Sequence, residues 1–116
     1  MRDGLYSIRI QMYDGGKGTA SGIIVLRQGS LIGGDNYFYY TGTYVVVPQK
    51  RSWRGELVTH QHTEAAGLSL LFGGRDVGCG FTGVYADDGS ANVQGTALVG
   101  RASVQFKAQL RLEFET

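Results

Sequence analysis

One cysteine, Cys79, and one proline, Pro48, are all that this chain of 116 residues has of either. A single thiol excludes an intramolecular disulfide and fits a reducing compartment. Long apolar runs are missing too, and nothing approaches the ~18 residues of a membrane-crossing helix. The opening MRDGLYSIRI shows neither the apolar stretch nor the cleavage site of a secretory signal. These absences together predict a soluble cytoplasmic protein with no membrane partner. An excess of one charge is also lacking: 11 Lys and Arg against 10 Asp and Glu leave +1. That balance argues against nucleic acid as a partner, because affinity for phosphate comes from clustered positive charge.

What the chain does have is glycine, 19 residues of it, scattered among β-branched and aromatic residues. Hydrophobic residues reach 42%, enough for the core of one domain spanning residues 1–116. No helical period stands out, whereas alternation with a period of two recurs along the chain. In ASVQFKAQLRLEF, Val104, Phe106, Ala108, Leu110, Leu112 and Phe114 share one face, and Ser103, Gln105, Lys107, Gln109, Arg111 and Glu113 the other. Tyr6, Ile8, Ile10 and Met12 alternate with Ser7, Arg9 and Gln11 in the same way. Further strands are expected at 19–28, 31–35, 36–47, 53–63, 68–72, 78–86 and 91–99, between Gly/Asp turns. The fold predicted is all-β, a small antiparallel up-and-down β-barrel of about eight strands.

Glycines in mid-strand favour the barrel over a sandwich. Gly22, Gly42, Gly55, Gly83 and Gly95 each have apolar or large residues two positions to either side. Residues i and i+2 share a face, so these glycines lie on the inward side, where they let a sheet coil tightly. The same parity sends Phe38, Tyr40, Tyr44, Trp53, Phe81, Tyr85 and Phe106 into the barrel interior. In GGDNYFYYTGTYVVV it then leaves Tyr37, Tyr39, Thr41, Thr43, Val45 and Val47 outside. A row of Tyr and Val on an outer wall marks an interaction surface. Its simplest occupant is the same face of a second copy, making a homodimer.

Residues with chemistry to offer are few. His60 and His62, at i and i+2, share a strand face, but a structural zinc site needs about four ligands. Cys79 sits in GCG with no nucleophile motif around it and reads as a structural thiol. GGKG (15–18) and GGRD (73–76) precede no helix and read as hairpin turns rather than phosphate cradles. Asp87-Asp88-Gly89-Ser90 lacks the spacing of a calcium loop and reads as another turn. Arg51, Trp53 and Arg54 with Tyr37 and Tyr39 would make a basic aromatic surface of the kind single-strand binders use. The neutral overall charge speaks against that use. No paired carboxylates, nucleophile–base set or cofactor motif appears, so the reading is of a non-enzyme with no cofactor and no metal.

DGLYSIRI followed by GTASGIIVLRQGSLIGGDNYFYYTGTY resembles the family of GrlR, the negative regulator of type III secretion gene expression. The resemblance rests on Asp3-Gly4, Tyr6-Ser7, Gly22, Gly29, Gly33-Gly34-Asp35 and Tyr40-x-Gly42, and covers roughly residues 3–44. His60-x-His62 is similar to a further pair in that family. The resemblance implies a lipocalin-like eight-stranded barrel in a bacterial protein. It also implies dimerisation, and regulation by sequestering a transcriptional activator rather than by catalysis. The family binds its activator through an acidic stretch after the Y-x-G strand. The corresponding segment here is basic, with Gln49, Lys50, Arg51 and Arg54, so this loop is expected to meet a different partner. The alternative expectation is a small apolar, lipid-like ligand held inside the barrel.

Overall fold

The computed structural model describes residues 1–12, 19–64, 76–99 and 101–116. Eight strands are joined as consecutive antiparallel neighbours, and β8 returns to pair with β1, so the sheet closes into a barrel. They are β1 (Gly4–Met12), β2 (Thr19–Arg27), β3 (Ser30–Gly34), β4 (Phe38–Val47), β5 (Ser52–Gln61), β6 (Val77–Tyr85), β7 (Ser90–Val99) and β8 (Ala102–Glu115). A single 3-10 turn, Pro48–Lys50, links β4 to β5. Among the described residues no helix is long and apolar enough to cross a membrane. The strand expected at 68–72 and the GGKG turn lie outside the described residues, as does all of GGRD except Asp76. The ring closes without them, since β5 pairs directly with β6.

Alternation places the core as expected. Tyr6, Ile8, Ile10, Phe38, Tyr40, Tyr44, Trp53, Phe81, Phe106 and Leu110 are all buried inside the barrel, and half-buried Tyr85 packs against them. Trp53 is the centre of an aromatic stack. Its ring meets Tyr44 edge-on at 5.9 Å and Phe81 at 4.9 Å. The inward glycines explain how so much aromatic volume fits within a closed wall. A Cβ on Gly42 would come 2.2 Å from the Glu56 carbonyl oxygen, and one on Gly83 2.0 Å from that of Asn92. Neighbouring backbones occupy the side-chain space, which is how a small barrel curls.

Two sequence expectations need correction. Phe114 is not on the dry face of β8: it is 67% exposed. Leu5 pairs with Phe114 but Tyr6 pairs with Leu112, so Glu113 is an extra residue, and the parity of β8 flips beyond it. Tyr37 does not stand on the outer face of β4 either. It precedes the strand in a turn organised by Asp35 and packs against the core.

That turn accounts for the GGD motif. Asp35 Oδ1 accepts the backbone N–H groups of Tyr37 and Phe38, both at 2.9 Å. Its Oδ2 accepts the hydroxyl of Tyr40. Burial, then the bond to Asp35, pushes the Tyr40 phenol far above its ordinary range. Gly34 lets the start of β4 approach β3 closely, and Gly33 does the same for β2.

The opposite end of the barrel is laced by the N-terminus. The Tyr6 hydroxyl donates to the Arg2 carbonyl at 2.6 Å, Asp3 Oδ1 accepts the Gln28 N–H at 3.1 Å, and Met1 packs on the core. A cavity of about 30 Å³ in the described interior is lined by residues such as Ile24, Trp53 and Phe106.

Candidate interaction face

Cross-strand register decides what the outer wall presents. One row runs from Ile23 on β2 through Gly34 and Tyr39 to His60 on β5. The next runs Val25, Ile32, Thr41, Val58. The two rows stack into one patch over β2–β5. Ile23 (53%), Ile32 (57%), Tyr39 (44%) and Val58 (39%) are its exposed large residues. A shallow concavity of about 660 Å³ over β2–β4 is floored by these rows and edged by Ser21 and Asn36. The Asp35 carboxylate is spent on its own turn, so these two rows present no free charged group among the described residues; the next row along the wall brings Arg27 and Glu56.

The Tyr39 ring stacks on the His60 imidazole, 4.9 Å between centroids and 22° between planes. His60 Nδ1 lies 3.3 Å from Asp76 Oδ2 at the start of β6. Tyr39 is thus braced in place rather than swinging freely. His62 lies beyond the end of β5, with Nε2 3.0 Å from the Asp35 carbonyl oxygen and Nδ1 2.7 Å from Thr63 Oγ1. The two imidazoles therefore engage different partners and do not converge on one point. No cluster of three metal-ligating side chains occurs among the described residues.

Of the surface residues named from the sequence, Tyr39, Thr41, Thr43 and Val45 do stand outward on β4. Sequence reasoning followed that strand lengthwise and missed Ile23, Val25, Ile32 and Val58. A signal was present: in IIVLR four consecutive apolar residues, Ile23–Leu26, put apolar groups on both faces of one strand. Gln49, Lys50 and Arg51 are exposed in the β4–β5 turn, and Arg54 is exposed on β5 itself rather than in the loop. Arg51 is paired with Asp87 at 3.1 Å, which lowers the positive field of that loop.

No protein-family model and no curated protein matches this chain.

The remaining candidates resolve as structural groups. Cys79 points inward, and burial pushes its thiol up to about 12, so it is held as an unreactive thiol at neutral pH. Asp88 Oδ1 accepts both the N–H and the hydroxyl of Ser90, at 2.8 and 2.7 Å, and fixes the β6–β7 hairpin turn. Trp53 is buried and half-buried Tyr37 packs on the core, so these two rings do not stand with Arg51 and Arg54 on an open outer surface.

Proposed function

We propose that this protein is a non-catalytic regulator acting by protein–protein contact, and that the β2–β5 face is its contact surface. The single observation that carries the reading is the uncharged patch of Ile23, Val25, Ile32, Tyr39 and Val58 across four strands, rimmed by polar residues. Its simplest occupant is the same face of a second copy about a two-fold axis. A homodimer of that kind, holding a further protein such as a transcriptional activator, is the arrangement to which the GrlR-like residues 3–44 also point. The competing idea, an apolar ligand inside the barrel, finds less support among the described residues. The cavity lined by the described core residues measures about 30 Å³, whereas small-molecule sites occupy roughly 300–1,000 Å³.

Light scattering tests this directly. The wild type is expected at twice the chain mass, and the double variant Ile32→Ser/Tyr39→Ser as a folded monomer. A monomeric wild type, or a dimer indifferent to the double change, would refute the assignment of this face.

A further inference from the structure

Two glycines of β6 behave unlike the rest. A Cβ on any other described glycine of the barrel wall would meet backbone or a ring at under 3 Å, whereas one on Gly78 or Gly80 would meet nothing within 4 Å among the described residues. Neither has a positive φ. Neither internal packing nor backbone conformation therefore requires glycine there, although glycine weakens a strand. Both face outward, alternating with the buried Val77, Cys79 and Phe81.

Their missing side chains cut a trench along the outer wall. Val58 and Glu56 of β5 stand on one side, paired with Gly78 and Gly80. Leu98 and Thr96 of β7 stand on the other, with Gly80 paired to Thr96. The trench is the middle of a wider concavity of about 920 Å³ that runs from Thr41 and Thr43 on β4 to Gln105 on β8. Strands lie ~4.8 Å apart, so the two side-chain rows are roughly 10 Å apart. Allowing for the walls, that admits one planar ring about 3.5 Å thick, with van der Waals contact on both sides. Val58 and the well-exposed Leu98 supply apolar walls at the Gly78 level. One step along, the Glu56 carboxylate has no hydrogen-bond or ion-pair partner among the described residues. It is an acceptor on the trench wall, and its complement is a ring that carries a donor. Arg54 on β5 and Lys107 on β8 stand one level along, paired with Thr82 and Gln94.

We propose that this trench is a receptor for one Tyr or Trp side chain of a partner protein. The ring stands over Gly78 and Gly80 between Val58 and Leu98, and its O–H or N–H donates to Glu56. Aromatic residues seated in such pockets dominate many protein interfaces. The inference deepens the protein-contact reading and rests on it, but it uses a different surface apart from Val58 and Thr41, which border both.

The test is an amide NMR titration of the Ile32→Ser/Tyr39→Ser variant, whose trench is intact, with acetyl-Gly-Trp-Gly-amide, its Tyr and Phe counterparts, and acetyl-Gly-Leu-Gly-amide. The Trp and Tyr peptides are expected to shift the Gly78 and Gly80 amides saturably. Phe should bind more weakly by about fivefold, the worth of one hydrogen bond. Glu56→Ala should erase that preference without abolishing Phe binding. Gly80→Val should abolish binding while leaving the fold at least as stable, because its side chain enters open space. Equal shifts for Leu and Trp, shifts centred elsewhere, or binding untouched by Gly80→Val would each overturn the proposal. So would concentration-dependent Gly78 shifts without peptide that vanish in Phe114→Ser, since a second copy would then be the occupant. Failure here with an intact wild-type dimer would leave the β2–β5 reading standing.

Discussion

Gly83→Ala and Gly80→Ala add the same methyl group to the same strand, on opposite sides of the wall. At Gly83 the new Cβ would lie 2.0 Å from the Asn92 carbonyl oxygen and 2.8 Å from the Val93 Cα. Both are backbone atoms, so β6 and β7 must separate locally or the ladder must distort. Overpacking of this kind costs about 2–3 kcal/mol. At Gly80 nothing among the described residues lies within 4 Å. The methyl there only restricts the unfolded chain, which stabilises by about 0.5 kcal/mol. The pair should therefore differ by about 3 kcal/mol, or roughly 12 °C in thermal midpoint for a domain of this size. Thermal unfolding followed by circular dichroism, at one low protein concentration to hold association constant, measures the difference. Midpoints that agree within about 2 °C would show that the inward glycines are not what permits closure, and would refute the packing account of the barrel.

Three further outcomes are expected. Asp35→Ala strands two backbone N–H groups and the Tyr40 hydroxyl, and should lower stability in urea by about 3 kcal/mol; a loss under about 1 kcal/mol would show the turn to be dispensable. Phe106→Ala should cost about 3–5 kcal/mol and Phe114→Ser under about 0.5 kcal/mol, because the β8 bulge turns only the second ring into solvent; similar losses would place both rings in the core. Folding raises the Cys79 thiol from 9.0 to about 12 and the Tyr6, Tyr40 and Tyr44 phenols above 10.0. The unfolded chain then ionises first as pH rises. This part of the stability is full below pH 9.0 and falls through the 9.0–12 window as the thiol titrates. Base titration followed by tyrosinate absorbance should show it, with Cys79 resisting thiol reagents until the barrel opens; ready labelling of native Cys79 at neutral pH would contradict its burial.

Much of the fold was legible because alternation is a local property. Val104 to Leu112 announce their dry face residue by residue, and the glycine rule puts Gly42 and Gly83 inward from neighbours two positions away. The list of interior aromatics follows from that parity alone. The outward Gly78 and Gly80 were readable in the same way, between Val77, Cys79 and Phe81, yet no local pattern says which residues wall them in.

Chain-distant neighbours belong to register, and register exists only once the sheet has closed. The sequence by itself determined strand content, the in/out parity and the tight curl of the wall, since each depends on residues one or two positions apart. The tertiary structure alone decided that Ile23, Val25 and Ile32 flank Tyr39 and Thr41, that Glu56 and Thr96 face each other across Gly80, and that one extra residue in β8 turns Phe114 to the outside. A pleat fixes which face a side chain takes, but the pairing of distant strands fixes which other side chains share it, and a single bulge reverses the parity of everything beyond.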